Sequence, residues 1–158
     1  MGGYGSTRWG MNNKKTTVEE CKALPISLFK KAINNVIENS GSWMGTVSWS
    51  CGGEPAGRIG YLAYSENNYP KIKLQYKFTE SGLEMDYPIP LTNTVLSWGV
   101  KRWWFICPLI KNGIPCNHRI GKLYLPPGYE YFGCRHCYDL TYASCQEAHF
   151  YDSFYSYF

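Results

Sequence analysis

An α+β fold class is predicted by three features of the chain. A capping box and an amphipathic stretch lie near its start, apolar and polar residues alternate between Trp43 and Ile89, and two cysteine pairs, Cys107-x8-Cys116 and Cys134-x2-Cys137, flank a hairpin-like stretch after residue 100. The expected order is two short N-terminal helices with an antiparallel β-sheet, followed by a zinc-ribbon-like β-hairpin and a short C-terminal helix. The expected division is a flexible glycine-rich arm over 1–15, an α+β domain over 16–100, a zinc ribbon over 101–140 and an aromatic C-terminal helix over 141–158. A chain of 158 residues is long enough for one domain or for two small ones sharing an interface.

The helices come first. Thr17-Val18-Glu19-Glu20 has the form of a capping box, and Pro25 closes the helix it would open. Ser27 is placed to cap a second helix through Asn39. Phe29, Ala32, Ile33, Val36 and Ile37 fall on its apolar side, and Lys30, Lys31, Asn34, Asn35 and Glu38 fall elsewhere.

Strand grammar follows. Trp43, Val47 and Trp49 alternate, Cys51 to Gly57 makes a loop, and Ile59, Tyr61 and Ala63 lead a returning strand. Ile72, Leu74, Tyr76 and Phe78 then alternate with Lys71, Lys73, Gln75 and Lys77. Ser81-Gly82 turns the chain into a strand from Leu83 to Ile89, which Pro88 and Pro90 mark as an edge or an ending.

The cysteines carry the chemistry. A structural zinc site takes four tetrahedral ligands, and Cys107, Cys116, Cys134 and Cys137 supply four thiolates. Arg119–Leu125 and Glu130–Gly133 are strand-like runs separated by the turn sequence Pro126-Pro127-Gly128-Tyr129, so folding them together brings Cys116 to Cys134. The eight-residue gap of the first pair is longer than the usual two to four. Buried thiols, a redox Cys-x-x-Cys, or a mixed set that uses His118 or His136 stay open beside one structural Zn²⁺. Cys145 and His149, four apart, lack further partners.

Seven cysteines are an odd number for a disulfide framework, and the opening residues lack the apolar stretch of a secretory signal. A reducing, cytoplasmic setting is expected. No run of about 18 apolar residues is present, so no membrane partner is expected. Six Lys/Arg against one acid over residues 98–137 give that segment a local +5, within a formal net charge of +4. Four thiolates and Zn²⁺ would lower it by two. That excess is compatible with a nucleic-acid backbone.

The segments GGYGSTRWG, KKTTVEEC, SWSCGGEPAGRIGY and RWWFICPLIKNGIPCNHRIGKLYLPPGYEYFGCRHCYDLTYASCQE resemble a family of small, largely uncharacterised prokaryotic and mobile-element zinc-ribbon proteins. The resemblance runs from the N-terminus to Glu147. It implies that Cys107, Cys116, Cys134 and Cys137 occupy the metal positions, the long first gap included. It implies no particular activity.

The function expected from these residues is a non-enzymatic, zinc-binding module for nucleic acid, DNA above all. Lys101, Arg102, Trp103 and Trp104 set charge beside stacking surface, with Arg119, Lys122 and Arg135 nearby. Helix, turn, helix and hairpin also have the order of a winged helix-turn-helix, in which Lys30, Lys31 and Asn34 would face a groove. An ordinary solvated face for the helix residues, and core packing for one of the two tryptophans, are the plainer alternatives. A second expectation is an interaction or inhibitor protein of phage or other mobile-element origin, for example an anti-CRISPR, acting on a host protein complex. Phe150, Phe154 and Phe158 would then form an apolar interface stripe, which could equally serve a homodimer or dock on its own sheet. Gly-rich phosphate loops, His-Glu-x-x-His and Gly-x-Ser-x-Gly are missing, and four thiolates leave zinc no open position, so no enzyme is expected.

Overall fold

The computed structural model describes residues 14–146. They form a mostly β protein with one short helix, which overturns the α+β expectation of two N-terminal helices and a C-terminal helix. The first expected helix is a strand. Val18–Glu20 makes a single 3-10 turn, in which the Glu20 carboxylate accepts the Thr17 N–H at 2.8 Å, and β1 (Lys22–Pro25) follows at once. Too few residues separate Thr17 from Pro25 for a stable helix. Pairing wins instead: β1 lies antiparallel to a late strand, with Leu24 opposite Leu123, both fully buried.

A 3-10 turn at Ile26–Phe29 leads into α1 (Lys30–Asn39), so Ser27 lies inside that turn rather than capping the helix. The helix ends at Asn39, where Ser40 takes a left-handed conformation at φ 51°. Phe29, Ala32, Ile33 and Val36 are buried as their spacing predicts, but Ile37 is exposed.

Four long strands form a meander: β2 (Ser42–Cys51), β3 (Glu54–Glu66), β4 (Tyr69–Lys77) and β5 (Glu84–Val95). Two-residue turns join the first three. Gly52-Gly53 and Asn67-Asn68 both have positive φ at each residue, the hairpin geometry that glycine and asparagine tolerate best. The sheet continues through β6 (Lys101–Ile106) and a short strand, β9 (Arg119–Ile120), in the order β2-β3-β4-β5-β6-β9. Pro88 and Pro90 do not end their strand. Residues 84–90 pair only with β4, and residues 91–95 pair with β6, so both prolines lie where β5 has a single neighbour.

The curled sheet buries Ile59, Ala63, Ile72, Leu74, Ile89, Leu91 and Phe105 against α1. Phe29 fixes the helix entry by meeting Tyr61 edge-on at 4.8 Å and Phe105 at 5.7 Å. Strands on both sides of residue 100 share this sheet, because β6 pairs with β5 and β9 pairs with β6.

The expected second hairpin is reduced. β10 (Lys122–Leu125) pairs with β1, and of the Glu130–Gly133 run only Gly133 bridges back, exchanging two hydrogen bonds with Tyr124 at 2.8 and 2.9 Å. The predicted turn is present: Tyr129 N–H donates to the Pro126 carbonyl at 3.2 Å, and Gly128 has φ +80°. At the other end Thr141 bridges Thr17 in parallel, and Ala143–Cys145 forms one 3-10 turn where a helix was expected. The rest of that expected helix, with Phe150, Phe154 and Phe158, lies outside the described residues, as do residues 1–13 of the glycine-rich arm. Lys15, from the end of that arm, pairs with Asp139 at 2.8 Å. Among the described residues no helix is long and apolar enough to cross a membrane.

Candidate metal centre and basic groove

The four predicted cysteines meet. The sulfurs of Cys107, Cys116, Cys134 and Cys137 all lie within 4.8 Å of one another. Cys107 follows directly on β6, and its N–H is held by the His118 carbonyl at 2.9 Å. The long first gap closes through a miniature hairpin, β7 (Ile110–Lys111) with β8 (Ile114–Pro115), turning at Asn112-Gly113 with φ of 52° and 76°. Cys116 N–H then donates to the Leu109 carbonyl at 2.9 Å. The eight intervening residues therefore do the work of a short knuckle by pairing with themselves.

The second pair forms a knuckle of its own. Cys134 N–H points at the Cys107 sulfur at 3.4 Å, and Cys137 N–H at the Cys134 sulfur at 3.3 Å. Gly133 matters here for its missing side chain. A Cβ on it would lie 2.1 Å from Leu109 Cδ1 and 2.9 Å from Tyr138 Cε2, so only glycine lets the two knuckles close on each other.

Sulfur spacing tests the fit. Four thiolates around a tetrahedral ion with bonds of about 2.3 Å stand about 3.8 Å apart. Cys116 and Cys134 are 3.6 Å apart, and Cys107 and Cys137 are 4.0 Å apart. These sulfurs can hold one metal ion. All seven cysteines are free, which removes disulfides from the account. The Cys107 thiol donates to Cys134 and draws it down to about 4, helped by the Cys137 N–H, while Cys107 itself is pushed up, first by that same bond and then by burial. Cys137 is pushed up to about 12, chiefly by burial. The nest thus favours one negative sulfur and opposes several without a cation. His118 Nδ1 stands 3.0 Å from the Cys116 sulfur, but neither His118 nor His136 joins the four-atom cluster.

Beside the metal centre runs an open groove of about 1090 Å³. Six basic residues line it from separate parts of the chain: Lys30 at the start of α1, Lys101 and Arg102 on β6, Arg119 on β9, Lys122 on β10 and Arg135 between Cys134 and Cys137. Among the described residues Glu19 is the one acid in its lining, and its carboxylate accepts the Ala143 N–H at 3.0 Å. Among the described residues none of the six cations forms an ion pair. The ion pairs found there involve Lys15, Lys71, Lys73 and Lys77.

The two predicted tryptophans part company. Trp104 is half-buried, donates its N–H to Thr94 Oγ1 at 3.0 Å, and carries the Arg102 guanidinium over its ring at 4.3 Å with Arg119 at 5.6 Å. Trp103 is also half-buried: one side packs against the core cluster, and it lines the groove beside Trp104. Lys31 and Asn34 do not line the groove; Asn34 borders a separate shallow depression with Ile37 and Lys101. The helix-turn-helix order is absent, since its first helix is β1.

Sequence reasoning missed Tyr142, which lines the groove with Arg135 over its ring at 5.3 Å; His136, named there only as an alternative metal ligand, lines the groove too. The place of Tyr142 follows from the neighbouring Thr17–Thr141 bridge, a contact between distant segments without a local signal. Comparison of the chain with family models, with curated proteins and with solved structures finds no match.

Proposed function

We propose that the protein is a non-enzymatic zinc protein whose metal centre shapes a groove that binds nucleic acid. One observation carries the reading: six cations from five separate places in the chain converge on a single groove, and none is neutralised by an ion pair among the described residues. Like charges gathered this way repel one another, and a polyanion relieves the repulsion while releasing its counterions. Arg102 lies over the Trp104 ring and Arg135 over the Tyr142 ring, and the planar guanidinium can present donors to phosphate in pairs.

Zinc suits the ligand set, because four thiolates in tetrahedral spacing favour a soft ion and leave it no open position for catalysis. The acids Glu84 and Asp86, two apart on β5, are each taken up by a lysine, which supports the non-enzymatic reading. Glu84 is bound to Lys77 at 3.0 Å and Asp86 to Lys73 at 2.9 Å, both outside the groove lining.

Binding of a fluorescent oligonucleotide across a salt series tests the proposal. Retention that falls steeply and log-linearly with salt supports it. No retention even at low salt sinks it.

A further inference from the structure

We propose that the groove's ligand is single-stranded, and that Trp98, at the tip of the β5–β6 hairpin, is the residue on which one of its bases stacks; this rests on the nucleic-acid reading above. Trp98 is 81% exposed, more than any other large apolar side chain among the described residues. The backbone that carries it is fixed. Leu96 N–H donates to the Val100 carbonyl and Gly99 N–H to the Leu96 carbonyl, both at 2.9 Å, and Gly99 takes φ +77° to close the turn. A large indole held out on a closed turn incurs the cost of exposed apolar surface, with no compensating contact among the described residues.

Position supplies the ligand. Leu96 and Val100, on either side of the tip, line the basic groove, and Lys101 and Arg102 follow directly. An indole at the rim of a cationic groove is the pairing of stacking surface and phosphate attraction that holds single strands without regard to sequence. The other two tryptophans nearby are already engaged. Trp104 has a guanidinium over its ring and its N–H bonded, and Trp103 is half-buried against the core cluster. Among the described residues no ring and no cation sits over Trp98. A duplex keeps its base faces covered by neighbouring pairs, whereas a single strand offers them.

The test uses the full chain with its metal and three labelled probes of equal length: a single-stranded oligodeoxynucleotide, its duplex, and an oligomer of the same backbone without bases. The wild type should bind the single strand more tightly than either of the others. Trp98→Ala should weaken single-strand binding by about 5- to 100-fold while leaving the salt slope and the base-free probe unchanged, and Trp98→Phe should restore most of the loss. Equal single-strand affinity in Trp98→Ala, equal affinity of wild type for the base-free probe, or a preference for duplex overturns this inference and leaves the groove's polyanion binding standing. Failure of all three probes to bind at low salt overturns the nucleic-acid reading along with it.

Discussion

Phe132 stacks on Trp49, with ring centroids 6.1 Å apart and planes 20° from parallel. That contact joins the knuckle of Cys134 and Cys137 to β2, the edge strand of the sheet. Tyr76 meets Phe132 edge-on at 5.8 Å and donates its hydroxyl to the Glu130 carbonyl at 2.5 Å. The Phe132 N–H donates to the Tyr87 hydroxyl at 2.9 Å. The sheet therefore holds the second knuckle by packing as well as through the metal ligands.

Phe132→Ala follows as a prediction. The ring is fully buried, and its loss leaves a cavity between sheet and knuckle. Stability should fall by about 3–5 kcal/mol in denaturant melts at fixed metal concentration. A fall below 1 kcal/mol would show that the knuckle is held by its ligands alone.

Gly133→Ala should destabilise by about 1–3 kcal/mol through overpacking, since the new methyl would overlap Leu109 and Tyr138. The double variant with Leu109→Ala should recover part of the loss in the same melt. Wild-type stability in the single variant would mean the two knuckles are less tightly closed than described.

Thiol reactivity at pH 8 should divide the seven cysteines into three groups. Cys51 and Cys145 are exposed and should react fast. Cys21 should lag: burial, then the charges of Glu20 and Glu19, raises its thiol to about 11, and that thiol bonds the Thr17 carbonyl, so little thiolate is present. The remaining four should be silent until a chelator is added. Four fast thiols before chelation would contradict a filled metal centre.

Much of the site was legible in the sequence, because its information is local. The Cys-x2-Cys pair and the Pro-Pro-Gly turn each fix their geometry within a few residues, whereas the Asn112-Gly113 hairpin that closes the long gap was not read from the sequence. The sheet's alternation was legible for the same reason, and Ile72 and Leu74 are fully buried as their spacing requires. The N-terminal fold was not. The capping box at Thr17 is a true local signal, yet it ends in a turn because Lys22–Pro25 finds a strand partner a hundred residues downstream. Propensity over so few residues is weak beside a buried Leu24–Leu123 pair. The groove was half legible. The cations of β6 could be read off as a cluster, but their convergence with Lys30 and Tyr142 depends on strand pairings that no local pattern reveals.

Charge removal from the groove should change the salt dependence of binding in a countable way. Lys101→Ala with Lys122→Ala deletes two groove cations and should flatten the slope of log K against log salt by about 1.4 on a single strand, with zinc content unchanged. Lys73→Ala with Lys77→Ala removes the same charge from ion pairs outside the groove lining and should leave the slope as it was. Equal effects from both pairs would reduce the groove to a share of net charge.

The most direct test is metal content. Protein purified under reducing conditions without chelator should carry one zinc per chain. Cobalt(II) in its place should give the spectrum of a tetrahedral tetrathiolate, and Cys134→Ser should lose both. Absence of stoichiometric metal, an ion other than zinc, or unchanged zinc in Cys134→Ser would contradict the account.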